Sequence, residues 1–253
     1  MSPSADPRWS ILIATQPSRS EYLKRLLGVL TPQAAGRSDV EVMVRTSDPE
    51  LGLGDNRQIM REGARGLYSN FVDDDDLVAS DYVGRVLPLL DGVDYVSYEF
   101  QEYSDGMPRP PTHVSLHHGP WHQDSTGLWR DIVHFCPVKT ALALAVPMSG
   151  GWGEDTRWTN QMRDLGIIKT EHHIDVAIHF LYYRSSKKDG AKASAPYHQK
   201  SAAQVLVASQ EGQGYATSGV LVGTGEACLS CGSRGMLVPS NGRLHCNQCG
   251  ANF

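Results

Sequence analysis

Four consecutive aspartates, Asp73 to Asp76, follow directly on the apolar run Leu67 to Val72. Adjacent carboxylates repel one another unless donors or a cation compensate them, so a strand that ends in such a run has to emerge at a polar edge. Open α/β sheets supply that edge, because their ligands gather at the carboxyl ends of the strands. The flanking sequence agrees. Residues 9 to 15 form a short run of strand formers. Leu23, Leu26, Leu27 and Leu30 recur at helical spacing, opened by a capping box of Ser18 and Glu21 and closed at Thr31-Pro32. Val40, Val42 and Val44 alternate with Glu41, Met43 and Arg45, the period of a half-buried strand. A helix capped by Asp55 should then turn Ile59, Gly63 and Leu67 inward, and Val83, Val86, Leu87 and Leu90 predict another helix before residues 94 to 100 return to strand. Strands alternating with helices predict the α/β class, a three-layer α/β/α domain on a mostly parallel sheet.

The second half reads differently. Between Gln101 and Lys139 five prolines break long elements, while five histidines and two tryptophans crowd together. His117, His118, Trp121, His122 and Trp129 there could form a stacking surface for a sugar or a base. Gly150 to Gly153 leads into Glu154 and Asp155, with Trp158, Met162 and Leu165 on one helical face and Gly166 as C-cap. Ile174, Val176, Ile178, Phe180 and Tyr182 alternate as in a strand. Arg184, Lys187, Lys188, Lys192 and Lys200 stand against Asp189 alone, which predicts a basic loop.

The net charge of -5 argues against a protein coated in basic residues, so any nucleic-acid contact has to be local. The longest strongly apolar run, Ala141 to Val146, is far below the roughly 20 residues a spanning helix needs. Neither a membrane span nor a secretory signal is predicted. Of the five cysteines, Cys136 stands alone and the others form Cys228-x-x-Cys231 and Cys246-x-x-Cys249, fourteen residues apart. That is the pattern of a zinc ribbon, whose few apolar side chains require tetrathiolate Zn²⁺ to fold. Cysteine usage of this kind suits a reducing cytoplasm, that of the host if the protein is viral. The division expected is a catalytic domain over 1–210, a Gly-rich linker over 211–225 and the ribbon over 226–253.

The aspartates invite a divalent cation, Mg²⁺ or Mn²⁺, which commonly uses one or two carboxylates plus substrate phosphates. Asp73 and Asp75 alternate onto one side and could bracket a metal diphosphate; a solvated acidic turn is the alternative. Glu154 and Asp155 lie where a helix N-terminus keeps a carboxylate ionised, which suits a general base. Simple helix capping is the alternative there.

From residues 9 to 184 the chain resembles the GT-A glycosyltransferases, most closely those of family 2. The matching pieces, in order, are Ile11 to Thr15 with Arg19, Gly54 to Arg57, Phe71-Val72-Asp73-Asp74-Asp75-Asp76, and Gly153-Glu154-Asp155 with Trp158. The resemblance implies that Ala14, Thr15, Arg19, Asp48, Arg57 and Asp74 serve the nucleotide. It gives Asp73 the ribose or the metal and Asp75 the metal itself. Asp155 would be the base, with Glu154 and Trp158 placing the acceptor and His134 and Lys139 also touching it. A late metal-ligating histidine, common in the family, could be any of His172, His173, His179 or His198.

The activity so implied is an inverting, metal-dependent transfer from a nucleotide sugar, a UDP-sugar in the first instance, to a hydroxyl. Joined to a ribbon and a basic loop, it resembles phage-type enzymes that glycosylate hydroxymethylated pyrimidines in DNA. A glycan or protein acceptor, or a catalytically inactive nucleic-acid-binding protein, remains as an alternative. The oligomeric state is left open.

Overall fold

The computed structural model describes residues 6–183 and the strands at 220–223, 236–240 and 243–246. In chain order the main elements are β1 (Trp9–Thr15), α1 (Ser20–Ala34), β2 (Val40–Thr46), α2 (Leu53–Gly63), β3 (Tyr68–Phe71), β4 (Leu77–Val78), α3 (Tyr82–Val86) and β5 (Tyr95–Ser104). The short strands β6 (Met107–Pro108), β7 (Thr112–Val114), β8 (His122–Gln123), β9 (Leu128–Arg130) and β10 (Val138–Lys139) follow. They lead to α4 (Thr140–Leu144), α5 (Glu154–Leu165) and β11 (Glu171–Tyr183), then β12 (Val220–Gly223), β13 (Met236–Ser240) and β14 (Arg243–Cys246).

Among the described residues these strands form one sheet in the order β14-β13-β12-β2-β1-β3-β10-β5-β7-β9-β8, with β11 alongside β5 and β4. The long pairings, β1 with β2, β1 with β3 and β5 with β11, are parallel. This is the α/β architecture expected from the alternation of strands and helices. Residues 220–223, within the stretch read as a linker, pair parallel to β2. Cys246 ends β14, its backbone opposite Leu237. Cys228, Cys231 and Cys249 and the basic stretch 184–200 lie outside the described residues. No helix among the described residues is long and apolar enough to cross a membrane.

Several local expectations change once the layers close. The Ser18 and Glu21 capping box does not form; Pro17–Arg19 is instead a 3₁₀ turn, favoured by the fixed φ of Pro17, and α1 starts at Ser20 and runs through Pro32 to Ala34. Strand β2 is covered on both faces, because Glu41 is buried against Ser10 Oγ (2.6 Å) and Arg65 (2.8 Å). Asp55 sits at the third position of α2, not at its cap, and accepts from the Gly52 N-H at 3.2 Å. The inward side of α2 carries Asn56, Arg57, Met60 and Arg61, while Ile59 and Leu67 are exposed. The helix is polar inside because its partners come from distant elements. Trp158 and Met162 are buried on α5, but Leu165 is exposed; Gly166 caps the helix in the left-handed region. In β11 two register shifts between Ile174 and His179 break the alternation, leaving Val176 exposed and His179 fully buried.

Candidate active site

β3 delivers the aspartates to the carboxyl edge of the sheet, as the sequence predicts, and the four side chains then diverge. Asp73 Oδ1 accepts from Arg57 Nη2 at 2.6 Å. Asp74 is buried and fully engaged: Thr15 Oγ1 donates to one oxygen at 2.6 Å and Arg19 Nε to the other at 2.7 Å. Arg19 also pairs with Asp75 Oδ2 at 2.8 Å. Asp76 turns inward, where His179 Nε2 lies 3.0 Å from Oδ2. Of the late histidines considered as metal ligands, His198 lies outside the described residues; among the other three His179 is the one beside the aspartates, and its partner is Asp76. His172 instead meets the Leu89 carbonyl at the surface, and His173 faces Ser97 and Glu99.

These contacts set the electrostatics. Burial, opposed by Arg19 and reinforced by Asp73 and Asp74, holds the Asp75 carboxyl above the usual range. Burial and the neighbouring aspartates push Asp76 well up, and burial drives His179 down to about 3, so that pair is net neutral. A cation fits the rest of the loop. Asp73 and Asp75 each spend one oxygen on an arginine, and the negative charge density at Asp75 is unfavourable as it stands. Among the described residues no three His, Cys, Asp or Glu side chains converge as a metal cage.

Arg57 joins this loop to α5. Its guanidinium bonds Asp73 on one side and Glu154 on the other, and although burial alone would lower its proton affinity, the two carboxylates raise it. α5 can bring Glu154 there because its entry is tightly bound to α2. Gly54 N donates to the Gly150 carbonyl at 2.8 Å, and a Cβ on Gly54 would lie 2.6 Å from the Ser149 carbonyl carbon. Gly153, at φ 83°, turns the chain into the helix. Glu154 is therefore committed, with its side chain 2% exposed, whereas that of Asp155 is 27% exposed and faces a cavity of about 250 Å³. Arg130, His134 and Trp152 also line this cavity.

Trp158 and Lys139, expected at the acceptor, are elsewhere. Trp158 is in the core, its Nε1 donating to the Ala143 carbonyl at 3.2 Å, because α5 turns that face toward α4. Lys139 pairs with Asp94 at 2.8 Å and lies opposite Tyr68, at the far end of β3 from Asp73. Three histidines of the irregular stretch collect around Trp129, His113 stacked on it at 4.2 Å, His118 edge-on at 4.6 Å and His122 parallel to it at 6.3 Å. Strand alternation puts that group on the sheet face away from the cavity. Ala14 and Asp48 stand at the ends of β1 and β2. The loop bearing Asp48 is held by Asn56, whose Oδ1 accepts from Asp48 N at 2.8 Å and whose Nδ2 donates to the Asp48 carbonyl at 3.0 Å. Asn56, Arg61, Arg130 and Trp152 carry no sequence signal strong enough to mark them, although the Gly-rich context of Trp152 hints at an exposed turn.

No protein-family profile matches the chain, and no curated protein matches it by sequence. Solved structures do. Residues 1–349 of S. aureus TarS superpose with a TM-score of 0.53 at 16% identity, covering 69% of this chain and 60% of that one. The fold is shared with TarS. The UDP complex of the same fragment matches with a TM-score of 0.52 at 17% identity, over 69% of this chain and 60% of that one. The UDP-GlcNAc complex matches at 0.53 and 17%, over 81% and 68%. The chain spans about 60% of the length of the first TarS structures it matches, and the α/β fold is of the GT-A type that the sequence motifs imply.

Proposed function

We propose that the chain is an inverting glycosyltransferase that moves a sugar from a UDP-sugar to a hydroxyl acceptor. The observation that carries this reading is the division of labour at the start of α5: Glu154 is buried and locked to Arg57, whereas Asp155 is partly exposed on the cavity that Asp73 also lines. The likeness to TarS bound to UDP and UDP-GlcNAc supports the donor class. Asp155 takes the acceptor's proton as its oxygen attacks the anomeric carbon; the bond from that carbon to the diphosphate breaks, and its electron pair leaves with UDP. Mg²⁺ or Mn²⁺ held by Asp73 and Asp75 would offset the charge on the departing diphosphate. Arg57 fixes Asp73 and Glu154 relative to each other, and Arg19 fixes Asp74 and Asp75.

The acceptor proposed is a hydroxymethylated pyrimidine in DNA. Two sequence features support it: four cysteines at ribbon spacing, which would hold Zn²⁺ over 226–253, and the basic stretch 184–200, which offers phosphate contacts on an otherwise acidic chain. The base would have to leave the stack to reach Asp155. Incubation with hydroxymethylated DNA and a panel of nucleotide sugars, followed by mass spectrometry of the nucleosides, tests both halves. A hexosylated nucleoside that fails to form in excess EDTA is the expected result. Sugar appearing on a glycan or protein but never on DNA would move the acceptor, and no turnover of any nucleotide sugar would end the reading.

A further inference from the structure

His134 lies in the segment between β9 and β10, where its backbone carbonyl accepts from Phe71 N at 3.0 Å. That bond continues the sheet edge next to Asp73 and fixes the ring against Phe71 and Phe135, with centroids 6.1 and 3.9 Å away. The side chain is 3% exposed, and it lines the cavity that Asp155 faces. Neither ring nitrogen has a hydrogen-bond partner among the described residues. A buried polar group left unmet loses its hydration without recompense, and a ligand atom in the cavity would restore the missing bond.

The gap beside Asp155 indicates which atom. His134 Nδ1 and Asp155 Oδ2 are 3.9 Å apart, too far for a direct hydrogen bond. A hydroxyl oxygen about 2.8 Å from each closes that gap. We propose that His134 touches the substrate, its ring N-H donating to the same acceptor hydroxyl that gives its proton to Asp155. This rests on the glycosyltransferase reading. The hydroxyl's hydrogen points to Asp155, one lone pair accepts from Nδ1-H, and the other is left to attack the sugar. The role requires the tautomer protonated on Nδ1.

The surrounding charges fit a donor and not a proton carrier. Burial lowers the ring's proton affinity well below the usual range, and Arg57 and Arg61 from α2, Arg130 from β9 and His179 from β11 lower it further. Asp155 from α5 is the carboxylate that faces it. A ring held neutral in this way orients the hydroxyl while Asp155 keeps the proton.

Hydrolysis of UDP-GlcNAc by water tests the contact without an acceptor, because the water occupies the hydroxyl's place. In His134→Phe, UDP-GlcNAc affinity measured by calorimetry should stay within about twofold, while hydrolysis and transfer to a 5-hydroxymethylcytosine oligonucleotide both fall about tenfold, the worth of one lost hydrogen bond. His134→Asn places an amide N-H near the Nδ1 position, so its hydrolysis should stay within about threefold of wild type. The Asn variant carries the test if the Phe variant does not fold. Unchanged hydrolysis in His134→Phe overturns the contact, as does a matching loss of donor affinity or a tenfold loss in His134→Asn. A wild-type protein that hydrolyses the donor and ignores the oligonucleotide overturns only the DNA acceptor. One that binds UDP-GlcNAc and turns over nothing overturns the glycosyltransferase reading and the role of His134 with it.

Discussion

Arg57 and Arg61 stand one helical turn apart on the buried side of α2, and the regions they enter treat charge in opposite ways. Toward the aspartate loop, Arg57 finds Asp73 and Glu154, Arg19 finds Asp74 and Asp75, and Asp76 finds His179. Toward the core, Arg61 lies over the ring faces of Phe71 at 4.9 Å and Trp158 at 4.7 Å, and among the described residues none of its side-chain nitrogens has a hydrogen-bond partner. Burial and the neighbouring Arg57 bring its proton affinity down to about 9. The first region gives each acidic side chain a charged or hydrogen-bonding partner. The second, continued by His134, leaves buried polar groups without partners among the described residues, which costs stability unless something else supplies them.

The comparison breaks most severely at Asp75. Asp75→Ala leaves Arg19 its bond to Asp74 but removes the metal carboxylate, and transfer should fall at least about a thousandfold, several kcal/mol of charge stabilisation; initial rates with and without excess EDTA measure it, and wild-type turnover by the variant would sink the assignment. Next comes Arg57→Leu, which strands Glu154 in the interior. We expect a loss of about 3–4 kcal/mol in denaturant unfolding. Asp155→Asn should bind UDP-sugar normally and transfer about a hundredfold more slowly. Equal loss of binding and transfer would place the residue in donor recognition instead.

Arg61→Met sharpens the contrast in the other direction. With no carboxylate to strand, the variant should be as stable as wild type or up to about 2 kcal/mol more stable, and a loss like that of Arg57→Leu would mean that the core-side arginine is compensated after all. The smallest effect concerns pH. His134 binds protons less readily in the native state than in the unfolded chain, whose ordinary value is 6.5. Its contribution to stability is therefore present above pH 6.5 and is lost progressively below it, because the unfolded state takes up the proton first. Replacing His134 by Asn should make the acid limb of stability against pH shallower, and an unaltered slope would assign that limb to other groups.

Local signals in the chain carry some of this. The apolar run before Asp73 ends in a strand at the sheet edge, Gly153-Glu154-Asp155 opens a helix, and Gly166 closes it, because each depends on neighbours a few residues away. The polar inside of α2 was not legible: Arg57 reaches a glutamate 97 positions along the chain, and a pattern reading that seeks apolar residues on the buried side selects Ile59 and Leu67 instead. Trp158 was misplaced for a related reason. Its motif position suggests the site, but the rotation of α5 against α4 sends the indole to Ala143.

By itself, then, the sequence determined the alternation of strands and helices, the edge at which four carboxylates emerge and the carboxylate pair at the start of α5, all of them consequences of short-range periodicity and turn chemistry. Only the tertiary structure decided which of those carboxylates stay open. Arg19 reaches Asp74 and Asp75 and Arg57 joins Asp73 to Glu154, leaving Asp155 and the ring of His134 on one cavity, and no local pattern encodes a charge balance struck between elements so far apart.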